Sequence, residues 1–127
     1  MKTIINIISF FCLALFVASC ARTQPVPKDK EAFIGKWKSA SGYEMEIFAK
    51  GTADIKQIED KTNPDYEKLC IKVAPQIIYG MKVFFKNDSV LEIADPYNYA
   101  KGFKINQSPA SNSTSQQMVL NGVTLNK

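Results

Sequence analysis

The sequence predicts an all-β protein, a small antiparallel β-barrel of seven or eight short strands, with a β-sandwich of the same strands as the alternative. Apolar and polar residues alternate with a period of two over short segments. Turn dipeptides separate these segments, namely Ser41-Gly42, Lys50-Gly51, Asn87-Asp88 and Asn121-Gly122. The chain has 127 residues, a length typical of one folded domain.

Three strands open the predicted domain as a meander. Residues 33–39 form the first strand. Residues 43–49 form the second, with apolar side chains on one face and Glu44 and Glu46 on the other. Residues 52–59 continue with the same period.

A polar break around Asn63 and Pro64 then interrupts the alternation. Asn is a favoured N-cap residue and Pro is favoured at the first helical position, so a short helix is one interpretation of residues 64–74. A strand over residues 67–74 is the other, and the pattern does not separate the two. Pro75 ends the segment in either case.

The strongest strand signal covers residues 76–86, and residues 89–94 return after a turn. The period of two predicts that one face of the first of these strands points inward. That face carries Ile77, Tyr79, Met81, Val83 and Phe85.

The C-terminal part alternates loops with short strands. A loop is predicted over residues 95–102 and a strand over residues 103–105. Residues 107–117 are rich in Ser, Asn and Gln and are typical of a mobile low-complexity loop. Residues 118–125 read as a closing hairpin, in which Asn121-Gly122 favours a type I′ turn.

The N-terminus has the three parts of a secretory signal, with Lys2 as the positive region, an apolar run over residues 4–17 and small residues after it. The run is shorter than the roughly 20 residues of a spanning helix. The segment Val17-Ala18-Ser19-Cys20 resembles the lipobox of bacterial lipoproteins. The resemblance implies cleavage after residue 19 and a lipid on Cys20. A plain secretory signal cut near Ala21 is the alternative.

A lipid on Cys20 implies a mature chain anchored in a membrane of the cell envelope. Ala21 stands where an Asp would retain a proteobacterial lipoprotein in the inner membrane, so the outer membrane is favoured, with its face left open. Residues 20–31 are polar and contain two prolines, which predicts a flexible tether. Residues 32–127 are the predicted β domain.

Composition excludes several function classes. The chain has no His, which removes Ser-His-Asp and Cys-His sites and the usual ligand of catalytic zinc. Cys70 is the only thiol left after processing and lipidation, and it is interpreted as a core residue, with an intermolecular disulfide as the alternative. No cofactor or metal site is predicted. Residues 1–19 contain one charged residue, Lys2, so their loss lowers the net charge from +4 to +3. This positive charge is small and its lysines are scattered, which argues against nucleic acid as a partner.

Paired carboxylates are the one catalytic pattern left. Glu44 and Glu46 share a strand face, and Asp54 is placed across the hairpin. Such a group can perform acid–base chemistry on a glycan. A solvated strand face is the preferred interpretation, so we predict no catalytic residues and no enzyme activity.

The two ends of the domain resemble short lipocalin-like (calycin-type) lipoproteins of Bacteroides and its relatives. Gly35-Lys36-Trp37, with Gly42 before the next strand, is similar to the G-x-W start of that family, and the hairpin of residues 120–125 is similar to its last strands. The resemblance implies that Trp37 plugs one end of a barrel; an ordinary core aromatic is the alternative. A true lipocalin is considerably longer. An eight-stranded barrel is just wide enough for side chains or one small ligand, and the bulky inward residues predict a filled interior.

Two surface features are candidate contact or modification sites. Tyr97, Tyr99 and Lys101 are predicted to form a recognition rim, unless the tyrosines fold back onto the barrel end. Asp88-Ser89-Val90 resembles the short O-glycosylation pattern of Bacteroides-type bacteria, which makes Ser89 a candidate acceptor. A simple turn is the alternative there.

These observations favour a non-enzymatic, membrane-tethered envelope lipoprotein that acts as an interaction or accessory module. One alternative is a binder of a small hydrophobic ligand at the barrel mouth. Another is an inhibitor of an envelope-attacking hydrolase that uses residues 95–102. The expected partners are the membrane and an envelope protein or a small apolar ligand, and the oligomeric state is open.

Overall fold

Eight antiparallel strands close into a barrel in the computed structural model, which describes residues 23–95, 99–110 and 116–127. Each strand pairs with its neighbour in sequence, and β8 pairs with β1 to close the sheet. The barrel is therefore confirmed over the sandwich. The strands are β1 (Gly35–Ser39), β2 (Glu44–Ile47), β3 (Thr52–Lys56), β4 (Ile77–Asn87), β5 (Val90–Ala94), β6 (Ala100–Gln107), β7 (Gln117–Leu120) and β8 (Val123–Asn126).

The alternation read from the sequence sets which side chains enter the barrel. Met45 on β2 pairs with Trp37 on β1, and both side chains are fully buried. Glu46, the next residue on β2, is partly exposed. Successive side chains of a strand point to opposite faces, so the apolar set of each strand enters one core. The largest fully buried side chains fill the interior, and they include Trp37, Tyr43, Phe103, Met45, Ile55, Met81, Leu91 and Met118.

One predicted face is wrong at the start of β4. Ile77 and Tyr79 are exposed, and Ile78 is buried in their place. On β3, Ala53 and Ile55 are two residues apart, but their partners on β4, Met81 and Ile78, are three apart. The extra residue on β4 is a β-bulge. Because one residue is inserted, the side chains of β4 that precede the bulge point to the opposite faces from those predicted. Met81 and Val83 beyond the bulge point inward as predicted.

The connection from β3 to β4, residues 57–76, covers one end of the barrel and is called the lid. It contains the helix α1 (Pro64–Leu69), so the strand interpretation of residues 67–74 is wrong. The Asn63 side chain accepts a hydrogen bond from the Asp65 N–H at 2.9 Å, and Pro64 occupies the first helical turn. α1 buries Tyr66 and Leu69.

The N-terminal segment, residues 24–34, packs on the opposite end of the barrel and is called the strap. It contains a 3₁₀ helix, Lys28–Phe33, that runs across the predicted boundary between tether and domain at residues 31 and 32. Phe33 is buried in the core and Val26 is partly buried against it. These apolar side chains hold a segment whose polar composition predicts a free tether.

Antiparallel order assigns every connection to one of two ends. The lid end carries the lid, the β1–β2 turn at residues 40–43 and the β7–β8 turn. In that last turn Asn121 and Gly122 have φ values of 49° and 78°, as a type I′ turn requires. The base end carries the strap, the β2–β3 turn at residues 48–51 and the β4–β5 turn. β6 begins at Ala100, earlier than the predicted residue 103.

Candidate functional site

A groove on the outside of the barrel, formed by β1 to β4, combines charged and apolar side chains. It has a volume of about 220 Å³ and is called the outer groove. Its lining residues are Lys36, Glu44, Glu46, Asp54, Ile55, Lys56, Ile77 and Tyr79. Ile55 is buried in the barrel core, while the other lining residues occupy the outward positions of the four strands. The site is therefore built by the period-two alternation itself, on the face that the core does not use.

The charged part of the groove has a cross-strand arrangement. Glu46 on β2 lies directly opposite Asp54 on β3, and like charges in this position are mildly destabilising. The Asp54 carboxylate accepts a hydrogen bond from the Gly80 N–H at 2.9 Å. Glu44 lies 3.5 Å from the Lys38 ammonium. The groove thus offers carboxylate acceptors beside lysine donors, which can contact a polar partner on several sides.

The apolar part of the groove consists of Ile77 and Tyr79, which are 47 % and 74 % exposed. They lie on the same outward face of β4, two residues apart, next to the bulge at Gly80. An unbroken alternation over residues 76–86 predicts both side chains in the core, and for Ile77 and Tyr79 this prediction is wrong. A signal for the true arrangement is Gly80 itself, since an isolated glycine inside a strand pattern indicates a bulge. Gly80 has a φ of 68°, a conformation that glycine adopts readily.

The predicted recognition rim lies at the lid end, away from the outer groove. Tyr97 is outside the described residues. Tyr99 is partly buried against the core, and its N–H donates to the Asp95 carboxylate at 2.9 Å. Lys101 donates to the Glu67 carbonyl of α1 at 3.1 Å. Tyr99 therefore folds back onto the barrel end, the alternative considered for it, and Lys101 ties the lid to β6.

Trp37 is buried near the base end, beneath the strap. Its Nε1 donates to the Phe33 carbonyl of the strap at 2.7 Å. The Lys127 ammonium lies 5.4 Å from the centre of its ring, within the range of a cation–π contact. The indole thus joins the barrel core to the strap that closes this end, a position compatible with both the plug and the core-aromatic interpretations.

Tyr43 lies at the lid end of the barrel, and Cys70 belongs to the lid itself. The Tyr43 side chain is fully buried, and its hydroxyl has no hydrogen-bond partner among the described residues. Burial raises the pKa of Tyr43 above its ordinary value of 10.0. The Cys70 sulfur accepts the Ile58 N–H at 3.3 Å, and burial raises the pKa of this thiol. Both groups are held in neutral form and contribute packing rather than acid–base chemistry.

Ser89 is exposed in the β4–β5 turn at the base end. Its N–H donates to the Asn87 carboxamide oxygen at 2.7 Å, the geometry of an Asx turn. Asp88 beside it pairs with Lys30 of the strap at 2.7 Å. The Asn-Asp-Ser segment therefore forms a turn, and its serine hydroxyl faces solvent.

The lipobox residues 17–20 lie outside the described residues. Within residues 23–95, 99–110 and 116–127, no group of three or more metal-ligating side chains is close enough to hold an ion, and no helix is long and apolar enough to cross a membrane. No family model, curated protein or solved structure matches the chain.

Proposed function

We propose that the protein is a non-enzymatic lipoprotein of the cell envelope, anchored through Cys20, that binds an envelope protein with its outer groove. The observation that carries this proposal is the contrast between a barrel interior filled by its own side chains and an outer face that leaves Ile77 and Tyr79 uncovered. Function is then a property of the outside of the barrel. The lipid anchor is supported by the Val17–Cys20 pattern of the sequence.

The chemistry of the groove favours a protein partner over a small apolar ligand. A tyrosine and an aliphatic side chain that are surrounded by charged residues match the apolar centre and polar rim of a protein interface. Tyrosine brings a large contact area with little loss of conformational entropy. A small apolar ligand, in contrast, needs an enclosed apolar cavity. The barrel interior, where such a cavity would lie, is filled by packed side chains such as Met45 and Leu91.

Site-specific photo-cross-linking in intact cells tests the groove. A photoreactive amino acid replaces Lys56, which lines the groove and is exposed. We expect one cross-linked product of discrete mass. The product should disappear in the variant Ile77→Ser/Tyr79→Ser, because its apolar contacts are gone, while the melting temperature stays unchanged since both side chains are exposed.

The matched control is Val73→Ser. Val73 is also an exposed apolar residue, 82 % accessible, but it lies in the lid and does not line the groove. The cross-link should persist in this variant. Equal loss in Val73→Ser and Ile77→Ser/Tyr79→Ser, or no discrete product at all, contradicts the groove as the binding surface.

Metabolic labelling with a palmitate analogue tests the anchor separately. Wild type should carry the label and sediment with membranes, and Cys20→Ser should lose both properties. Label absent from wild type would mean that the domain is released after export, and the ligand-binding alternative would then gain weight.

A further inference from the structure

The first described residues of the strap lie directly on the β2–β3 turn. A Cβ atom placed on Gly51 would lie 1.8 Å from the Gln24 carbonyl oxygen, far inside van der Waals contact. Gly51 also has a φ of +90°, which side-chain-bearing residues rarely adopt. The absence of a side chain at Gly51 is therefore what lets the strap backbone reach the turn.

A second contact fixes the strap at the same turn. The Val26 N–H donates to the Ala49 carbonyl at 3.0 Å, and the Val26 side chain is partly buried against the core. Residues 24–26 are thus held by backbone contact, a hydrogen bond and apolar packing together. Position 24 is only four residues from Cys20 along the chain.

The strap then crosses the base end toward the β4–β5 turn. The Lys30 side chain is 12 % exposed and pairs with Asp88 in that turn at 2.7 Å. The rings of Phe33 and Phe85 meet edge to face, with their centres 5.0 Å apart. Contacts at its start, middle and end hold the strap across the base, so it does not behave as a swivel between anchor and barrel.

We propose that the base end of the barrel faces the lipid bilayer and the lid end faces away from it. An extended chain spans at most about 3.6 Å per residue, so the Cα atoms of Cys20 and Gln24 lie no more than about 14 Å apart. A lipid on Cys20 therefore places the β2–β3 turn next to the lipid headgroups. The inference rests on the lipid anchor of the proposed function and adds the orientation of the domain.

The orientation determines which surfaces meet which partner. The base end presents exposed side chains of both signs to the headgroups, Lys28 and Lys50 beside Asp29 and Glu31. In the outer groove, Lys56 and Ile77 pair at the lid end of β3 and β4. That part of the groove then stands about one barrel height above the membrane, accessible to a protein partner.

Fluorescence quenching in vesicles tests the orientation. The mature protein, lipidated on Cys20, is reconstituted in phosphatidylcholine vesicles that contain a fraction of lipid with a nitroxide on the headgroup. A fluorophore is attached either to Ser89→Cys in the base-end turn or to Lys61→Cys in the lid, both exposed positions. Cys70 is buried, and wild type subjected to the same labelling reports any background from it.

We expect loss of most of the fluorescence at position 89 and no loss at position 61. Gly51→Ala should diminish this contrast, since the added methyl group clashes with Gln24 and displaces the strap. Gly42→Ala is the matched control, because Gly42 also has a positive φ, +96°, but nothing lies within 4 Å of its added methyl group. It should carry the same backbone strain and keep the contrast.

Equal quenching at positions 89 and 61 in a vesicle-bound protein overturns the orientation and leaves the anchor intact. Stronger quenching at position 61 reverses it. A protein that does not sediment with the vesicles overturns the orientation and the lipid anchor together. The three results are distinguishable in one sedimentation and fluorescence series.

Discussion

The lid end and the base end of the barrel are both closed by a segment outside the sheet, but different forces hold the two segments. At the lid end, the buried Gln57 side chain donates to the carbonyls of Ile71 and Pro75 at 3.2 and 2.8 Å and accepts the Ile71 N–H. At the base end, the Phe33 ring packs on the core, and the Lys30–Asp88 pair lies at the edge.

The difference follows from the length and shape of the two segments. The lid has 20 residues and contains one short helix, so many of its backbone N–H and C=O groups lie outside regular secondary structure. A buried side chain therefore has to supply their hydrogen bonds. The strap is shorter and buries mainly apolar side chains, while its charged residues other than Lys30 are exposed. The lid thus depends on buried hydrogen bonds, and the strap depends on apolar packing.

Removal of the Phe33 ring should give the largest effect, because it tests the apolar side of the comparison. Phe33→Ala should lower the free energy of unfolding by about 3–5 kcal/mol, as measured by urea denaturation. Phe33 is 2 % exposed and its carbonyl accepts from Trp37, the single Trp of the chain, so the folded variant should also show red-shifted Trp fluorescence. Phe84→Ala, at a partly exposed ring, should cost roughly half as much. An equal decrease in the free energy of unfolding for Phe33→Ala and Phe84→Ala would contradict the role of the Phe33 ring in holding the strap.

Removal of the lid amide tests the polar side. Gln57→Leu keeps the volume but leaves the Ile71 N–H and the Ile71 and Pro75 carbonyls without the amide, at a cost of about 2–4 kcal/mol. Gln76→Leu is the control, because its amide makes one exposed hydrogen bond, to Glu59, and should change stability by less than about 0.5 kcal/mol.

The lid variant has a second readout in Cys70. The buried thiol should react slowly with an alkylating reagent in wild type, because burial raises its pKa and restricts access. Gln57→Leu should accelerate the reaction, since the lid opens more often, while Phe33→Ala should act less strongly at this end. A reaction rate unaffected by Gln57→Leu would show that the amide does not hold the lid.

Deletion of the buried Tyr43 hydroxyl tests a second polar group at the lid end. Tyr43→Phe removes a group that has no hydrogen-bond partner among the described residues, so the free energy of unfolding should rise by up to about 1 kcal/mol. Tyr79→Phe changes the same group on an exposed ring and should have no effect. Destabilisation by Tyr43→Phe alone would indicate that an ordered water satisfies the hydroxyl.

The smallest expected effect concerns the charged edge of the base end. The hydrogen bond and charge of Lys30 hold the pKa of Asp88 below its ordinary value of 3.8. Because the folded-state pKa is the lower one, the added stability is present above pH 3.8 and is lost as the pH falls through the folded value. The difference in urea midpoint between wild type and Lys30→Gln should therefore shrink with acid in this range. A difference that is constant with pH would assign it to packing of the Lys30 chain instead.

Local patterns predicted the strand-forming segments and the closing turn well. The period of two in residues 43–49 depends only on neighbouring residues, as does the preference of Asn121-Gly122 for positive φ. The N-cap at Asn63 also carried a correct signal, but a competing strand pattern in residues 67–74 concealed it. The outer groove was not predicted: its carboxylates were identified, but as a solvated strand face, and its apolar residues, Ile77 and Tyr79, were placed in the core.

By itself, the sequence determined the strand pattern, the filled core and the absence of histidine chemistry, since these follow from residue type and short-range order. The lone Gly80 marks a bulge in the sequence, but only the tertiary structure decided its register against β3, the amide contacts of Gln57 and the docking of the strap on Gly51. Each of these joins residues that are distant along the chain. Their energies depend on cross-strand register and close approach, which no local pattern encodes.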